Sequence, residues 1–124
     1  MDQLFDDVCQ GHASNVSDYM QVNFNFDTEY HRCDKIQRYL VKKLVKESID
    51  HAQYDVLGIL TPYTVEKGDD CIPHWLLIYS MDDAKAFATI LKQMKQMFSD
   101  DQVKRMLTPR WKRYSLVARM PNSL

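Results

Sequence analysis

Between residues 104 and 119 the chain carries six cationic side chains, Lys104, Arg105, Arg110, Lys112, Arg113 and Arg119, around Trp111 and Tyr114, and no acid. Residues 31 to 46 carry Arg32, Lys35, Arg38, Lys42, Lys43 and Lys46 against the single Asp34, with Tyr39 among them. Cations interleaved with aromatic rings suit two tasks. They can neutralise phosphates and stack bases, or they can dock an acidic protein surface. The first thirty residues hold Asp2, Asp6, Asp7, Asp18, Asp27 and Glu29 and no Lys or Arg, so the chain itself, or a second copy, offers an acidic counterpart.

Each of the three cysteines has a histidine within three residues: Cys9 and His12, His31 and Cys33, Cys71 and His74. Thiolate and imidazole are the ligands zinc prefers, so Cys9, His12, Cys71 and His74 are the four that would close a tetrahedral site. Cys9 and Cys33 fall on apolar helical stripes, where a thiol behaves as a small hydrophobe, and no pair has a recognised four-ligand spacing. No metal and no cofactor is expected. Asp27 and Glu29, with His31 beside them, and Asp69 with Asp70 offer the carboxylates a two-metal nuclease would need. The same residues serve as a helix cap and a turn. With no glycine-rich phosphate loop and no nucleophile elbow, the chain reads as non-enzymatic.

Large adaptable side chains are numerous: seven Met, seven Tyr, five Phe and two Trp. Met94, Met97 and Phe98 spread around the end of one helix and, with Met106, form a candidate protein interface. The expected function is a protein-interaction or regulatory module that self-associates. The alternative is an RNA- or DNA-binding module using segments 32–46 and 104–119. The acidic start lacks the apolar stretch of a secretory signal, and three cysteines read as reduced thiols, which points to the cytoplasm or nucleus. The longest apolar run, "CIPHWLLIY", is too short to span a bilayer, so no membrane partner is expected.

The elements that must position these residues follow from periodicity. A length of 124 residues suits a single domain, with an acidic helix and loop over 1–18 and a core over 19–120. Leu4 and Val8, Phe5 and Cys9 are spaced as on a helix over 2–10 that ends at Gly11. "YMQVNFNFD" (19–27) alternates Met20, Val22, Phe24 and Phe26 with polar residues, the pattern of a half-buried strand. Residues 28–52 have helical spacing through Cys33, Ile36, Leu40, Val41, Leu44, Val45 and Ala52. The runs 54–63 and 72–80 are rich in Val, Ile, Leu and aromatics and read as strands joined by a turn at Gly68, with Pro62 at a sheet edge.

A Ser80–Asp83 cap opens a helix burying Ala84, Phe87, Leu91, Met94 and Phe98, and a Ser99–Gln102 cap opens a shorter one. "RYSLVARM" (113–120) alternates again. The order β-α-β-β-α-(α)-β predicts an α+β, ferredoxin-like fold, a four-stranded antiparallel sheet with helices on one face.

Overall fold

Helix accounts for every regular element among residues 2–24, 35–65 and 71–107, which are the residues that the structure, a computed structural model, describes. In chain order these are α1 (Asp2–Gln10), α2 (Ala13–Asn23), α3 (Lys35–Asp50), α4 (Tyr54–Leu60), a 3-10 helix (Thr61–Thr64), α5 (His74–Ser80), α6 (Ala84–Met97) and α7 (Asp100–Met106). The expected α+β ferredoxin-like sheet is therefore overturned: no strand occurs among the described residues.

The run from Tyr19 shows why. Alternation puts Val22 in the core with Met20, but Val22 is 80% exposed while Val16, Met20 and Phe24 are buried. Those three lie four apart, the spacing of one helical face, and the alternation of 20, 22, 24 is a coincidence of the last two turns. The helix also runs across position 18/19, from Ala13 to Asn23. Asp27 and the rest of 25–34 lie outside the described residues, as do Gly68 and the run 113–120.

The second and third expected strands are also helices. α4 buries Val56, Leu57 and Leu60, and the 3-10 helix that continues it buries Thr61 and Thr64, with Pro62 in its first turn. α5 follows Pro73, whose extended backbone forms its N-cap, and buries Leu76, Leu77 and Ser80. Each is seven residues long, under two turns, and nearly every side chain is at least partly covered. A short helix buried on most sides shows no polar stripe, so its apolar run resembles that of a buried strand.

Hydroxyls within this core satisfy themselves. Ser48 donates to the Val45 carbonyl at 2.7 Å, Thr61 to Leu57 at 2.7 Å, Thr64 to Thr61 at 2.6 Å and Ser80 to Leu77 at 3.1 Å. These bonds back along the helix let polar residues enter an apolar interior without an unpaired group.

α4 is the centre. It packs against α2, α3 and α6, while α1 lies against α2 and α3, and α5 and α7 lie against α6. The aromatic edge of Phe24 against Tyr63, with centroids 6.1 Å apart, ties the end of α2 to the 3-10 helix. The backbone N–H of Ile72 donates to the Met106 sulfur at 3.4 Å and joins the start of α5 to α7.

Helix ends agree with the sequence where their chemistry is explicit. Ser99 and Gln102 form a reciprocal capping box on α7. α6 is capped by Asp83, whose carboxylate accepts from the N–H groups of Lys85 and Ala86, both at 3.1 Å, and not by Ser80, which belongs to α5. The buried face of α6 runs through Ala86, Ile90 and Met94, with Phe87 and Leu91 beside it, and Ala84 is exposed.

Candidate partner-binding face

α3 is the longest helix described, and its inner face of Val41, Leu44, Val45, Ser48 and Ile49 is buried. Helical geometry then turns Arg38, Tyr39, Lys42, Lys43 and Lys46 outward or to the flanks. Tyr39 is 68% exposed, and Arg38 and Lys43 are exposed. Lys42 and Lys46 are half-buried, for a reason the sequence did not suggest. Each lays its ammonium over an aromatic ring of α5: Lys42 Nζ is 5.2 Å from the Trp75 ring centre and Lys46 Nζ is 5.1 Å from that of Tyr79. Lys43 leans the other way, 5.3 Å from the ring of Phe5 on α1.

The α3–α5 contact is a ladder in register. Residues 42, 46 and 50 are four apart on α3, and 75 and 79 are four apart on α5. Lys42 meets Trp75, Lys46 meets Tyr79, and the Tyr79 hydroxyl donates to Asp50 at 2.8 Å. Burial, and then the Asp50 carboxylate, push the Tyr79 phenol up to about 12. The matching spacing of Lys42/Lys46/Asp50 and Trp75/Tyr79 was visible in the sequence, but assigning 72–80 to a strand concealed it.

The nearby acids are engaged elsewhere. Asp50 accepts from Tyr79, and Glu47 Oε2 lies 3.3 Å from His51 Nε2 and accepts from the Cys9 thiol at 3.8 Å. No ion pair joins Lys42, Lys43 or Lys46 to a carboxylate among the described residues. Three ammonium groups are thus held over ring faces, and no carboxylate among the described residues pairs with them.

Other expected site residues separate. Arg32 lies outside the described residues, and so do Arg110, Trp111, Lys112 and Arg113; of Lys35 the backbone begins α3. Lys104 and Arg105 are exposed in the last turn of α7, where cations favour the helix dipole, opposite Asp100 and Asp101 in its first turn. Of the expected apolar interface, Met94 and Met106 belong to the core and present nothing to a partner; Met97 and Phe98 are half-buried. The carboxylates at Asp27, Glu29, Asp69 and Asp70, with His31, lie outside the described residues.

The two Cys–His pairs do not converge. His12 Nδ1 is 3.0 Å from Asp7 Oδ1, an oxygen that also accepts from Gln3 at 3.0 Å and Asn15 at 3.4 Å, clasping α1 to the start of α2. The His12 contact, chiefly, holds the Asp7 carboxyl below its ordinary range. Cys71 is half-buried just before α5, and His74 is the first residue of that helix. No three of Cys9, His12, Cys71 and His74 bring ligand atoms together among the described residues. Burial and the Glu47 carboxylate push the Cys9 thiol up, so it stays protonated and donates.

No helix among the described residues is long and apolar enough to cross a membrane. No protein-family model, curated protein or solved structure matches the chain.

Proposed function

We propose that the chain is a non-enzymatic protein-interaction module of the cytoplasm or nucleus that holds an acidic segment of a partner protein against Arg38, Tyr39, Lys42, Lys43 and Lys46. One observation supports this above others: three lysines of one helix are fixed over Trp75, Phe5 and Tyr79, and no carboxylate among the described residues is paired to them. A lysine already held by a ring loses less rotamer freedom on meeting an anion than a freely waving one. Exposed Tyr39 adds an amphipathic ring beside the charges, a side chain favoured at interfaces. Acids elsewhere in α3 favour a protein segment over a polyphosphate, because Glu47 and Asp50 break the run of positive charge that a nucleic acid backbone rewards. The acid-rich first thirty residues make a second copy of the chain a partner of suitable charge.

Fluorescence anisotropy with an Asp/Glu-rich peptide and with a single-stranded RNA of equal charge tests this, alongside sedimentation of the protein alone. Saturable peptide binding that weakens with salt and falls about tenfold or more in Lys42→Glu/Lys43→Glu/Lys46→Glu is expected. Tighter RNA binding with a steep salt slope would favour the nucleic-acid alternative. No binding of either probe, with a monomeric mass at every concentration, would reject the proposal.

A further inference from the structure

The C-terminal ends of α1 and α3 meet, and three metal-ligating side chains converge where they do. Cys9 lies in the last turn of α1; Glu47 lies in the last turn of α3 and His51 immediately follows that helix, four residues on. One ligand atom from each, Cys9 Sγ, a Glu47 carboxylate oxygen and a His51 ring nitrogen, lie within 4.8 Å of one another. We propose that Cys9, Glu47 and His51 form a binding site for one zinc-class divalent cation, with the fourth coordination position open to solvent.

The distances suit tetrahedral zinc. Bonds of about 2.3 Å to sulfur and about 2.0–2.2 Å to nitrogen and oxygen place a sulfur and an oxygen ligand about 3.6 Å apart, and a nitrogen and an oxygen about 3.4 Å apart. Here Sγ to Oε2 is 3.8 Å and Oε2 to Nε2 is 3.3 Å. Two of the three edges of the ligand triangle already have the required length before any ion arrives.

The site is also a negative end twice over. The C-terminal ends of both helices lie here, and neither helix has a basic residue in its last turn to offset the negative end of its dipole. The scaffold is held from outside the triangle: the Gln53 side-chain amide, just beyond α3, donates to the Cys9 carbonyl at 2.9 Å. That bond fixes the end of α1 against the end of α3, as hydrogen bonds behind metal ligands hold them in orientation. An entry path exists, since Cys9 is half-buried and the side chains of Glu47 and His51 are 34% and 47% exposed. On binding, the thiol proton leaves to solvent, the sulfur lone pair binds the cation, and the Cys9–Glu47 hydrogen bond is replaced by two bonds to the metal. Cys9 belongs to the set weighed from sequence, but its partners are 38 and 42 residues away and not the adjacent His12. A Glu-x-x-x-His pair across the end of α3 was the signal that would have found them.

The proposal is independent of the partner-binding face, and metal binding alone tests it. In full-length Cys33→Ser/Cys71→Ser protein Cys9 is the sole thiol. Competition of Zn2+ against a chromophoric chelator is expected to give one ion per chain. Co2+ is expected to give a thiolate-to-metal charge-transfer absorption, abolished by Cys9→Ser. Glu47→Gln and His51→Gln are each expected to weaken Zn2+ about 100-fold or more, and Zn2+ to raise the melting temperature of the parent but not of these variants. His51 sits at the exposed end of α3, so His51→Gln retains the helical circular dichroism and decides the matter by itself. Zn2+ affinity unchanged in His51→Gln, or no saturable binding in the parent, overturns the site.

Discussion

Gly11 and Ala52 occupy the same position in two copies of one helix-ending motif, at φ 77° and 56°. After α1, Gly11 N–H bonds Val8 O at 3.2 Å and His12 N–H reaches Asp7 O at 2.8 Å; after α3, Ala52 N–H bonds Ile49 O at 3.0 Å and Gln53 N–H reaches Ser48 O at 2.8 Å. The pattern is the Schellman motif, whose left-handed residue favours glycine. One copy has it and the other does not.

Ala52→Gly is therefore expected to stabilise the protein, by about 0.5–1 kcal/mol, the left-handed cost of a Cβ less the entropy glycine loses on folding. Gly11→Ala is expected to destabilise it by about 1–3 kcal/mol, because its Cβ would also strike the Gln53 amide that is tied to Cys9. Urea denaturation of both variants measures the pair, and a Gly11→Ala midpoint equal to the parent's would refute the motif.

The helical assignment of residues 13–23 has its own check. Val22→Lys is expected to change stability by less than about 0.5 kcal/mol, as at other exposed positions. Met20→Ala is expected to cost about 2–5 kcal/mol, since it opens a cavity in the core. A sheet would make both changes costly.

Two tyrosines raised for different reasons give an alkaline test. The Tyr54 hydroxyl donates to Asp83 at 2.9 Å, and that bond, ahead of burial, holds the phenol above its ordinary value of 10.0. For Tyr79 burial comes first and Asp50 second. Absorbance titration of Asp83→Ala is expected to return Tyr54 most of the way, whereas Asp50→Ala moves Tyr79 only part of the way down from about 12. The native state holds these protons more tightly than the unfolded chain, so their stabilisation is complete below the ordinary value of 10.0 and declines above it, for Tyr79 as pH rises towards about 12. Asp83→Ala also removes the α6 cap, at about 1–2 kcal/mol near neutrality.

Asp7 works in the opposite direction. Its carboxyl is held below the ordinary 3.8, so its contribution is complete above that value and vanishes as pH falls through the lower native value. Asp7→Asn is expected to be less stable than the parent at pH 6, with the gap closing progressively below pH 4. Chemical denaturation at a series of pH values reads this directly, and a gap constant down to pH 2 would rule it out.

The sequence was legible where end chemistry and length agreed. α1 with its glycine stop, the apolar stripe of α3 through Val41, Leu44 and Val45, and the Ser99 capping box stand in the structure, whereas Ala52, read as part of the stripe, is exposed beyond the end of α3. α2, α4 and α5 have neither a long stripe nor a side-chain cap. Neither His12 nor Gln53 nor Pro73 caps its helix through a side chain, so no residue type announces the start. Seven residues of Val, Leu, Ile and aromatics have high strand propensity in isolation, and tertiary packing overrode it. The basic face was legible as charge on α3, but its order depended on Trp75 and Tyr79 facing it from a helix, which required the fold.

The position of α4 fixes how the molecule comes apart. Seven residues are too few to stay helical in water without neighbours, since isolated helices are marginal below about 12–15 residues. Yet this segment touches α2, α3 and α6 at once. Its shape is borrowed from the surrounding helices, and they rest on it in turn, so neither side can be cut away and survive. The amides of Val56 to Leu60 should exchange with solvent only when the whole molecule opens, making them the slowest reporters of its global unfolding.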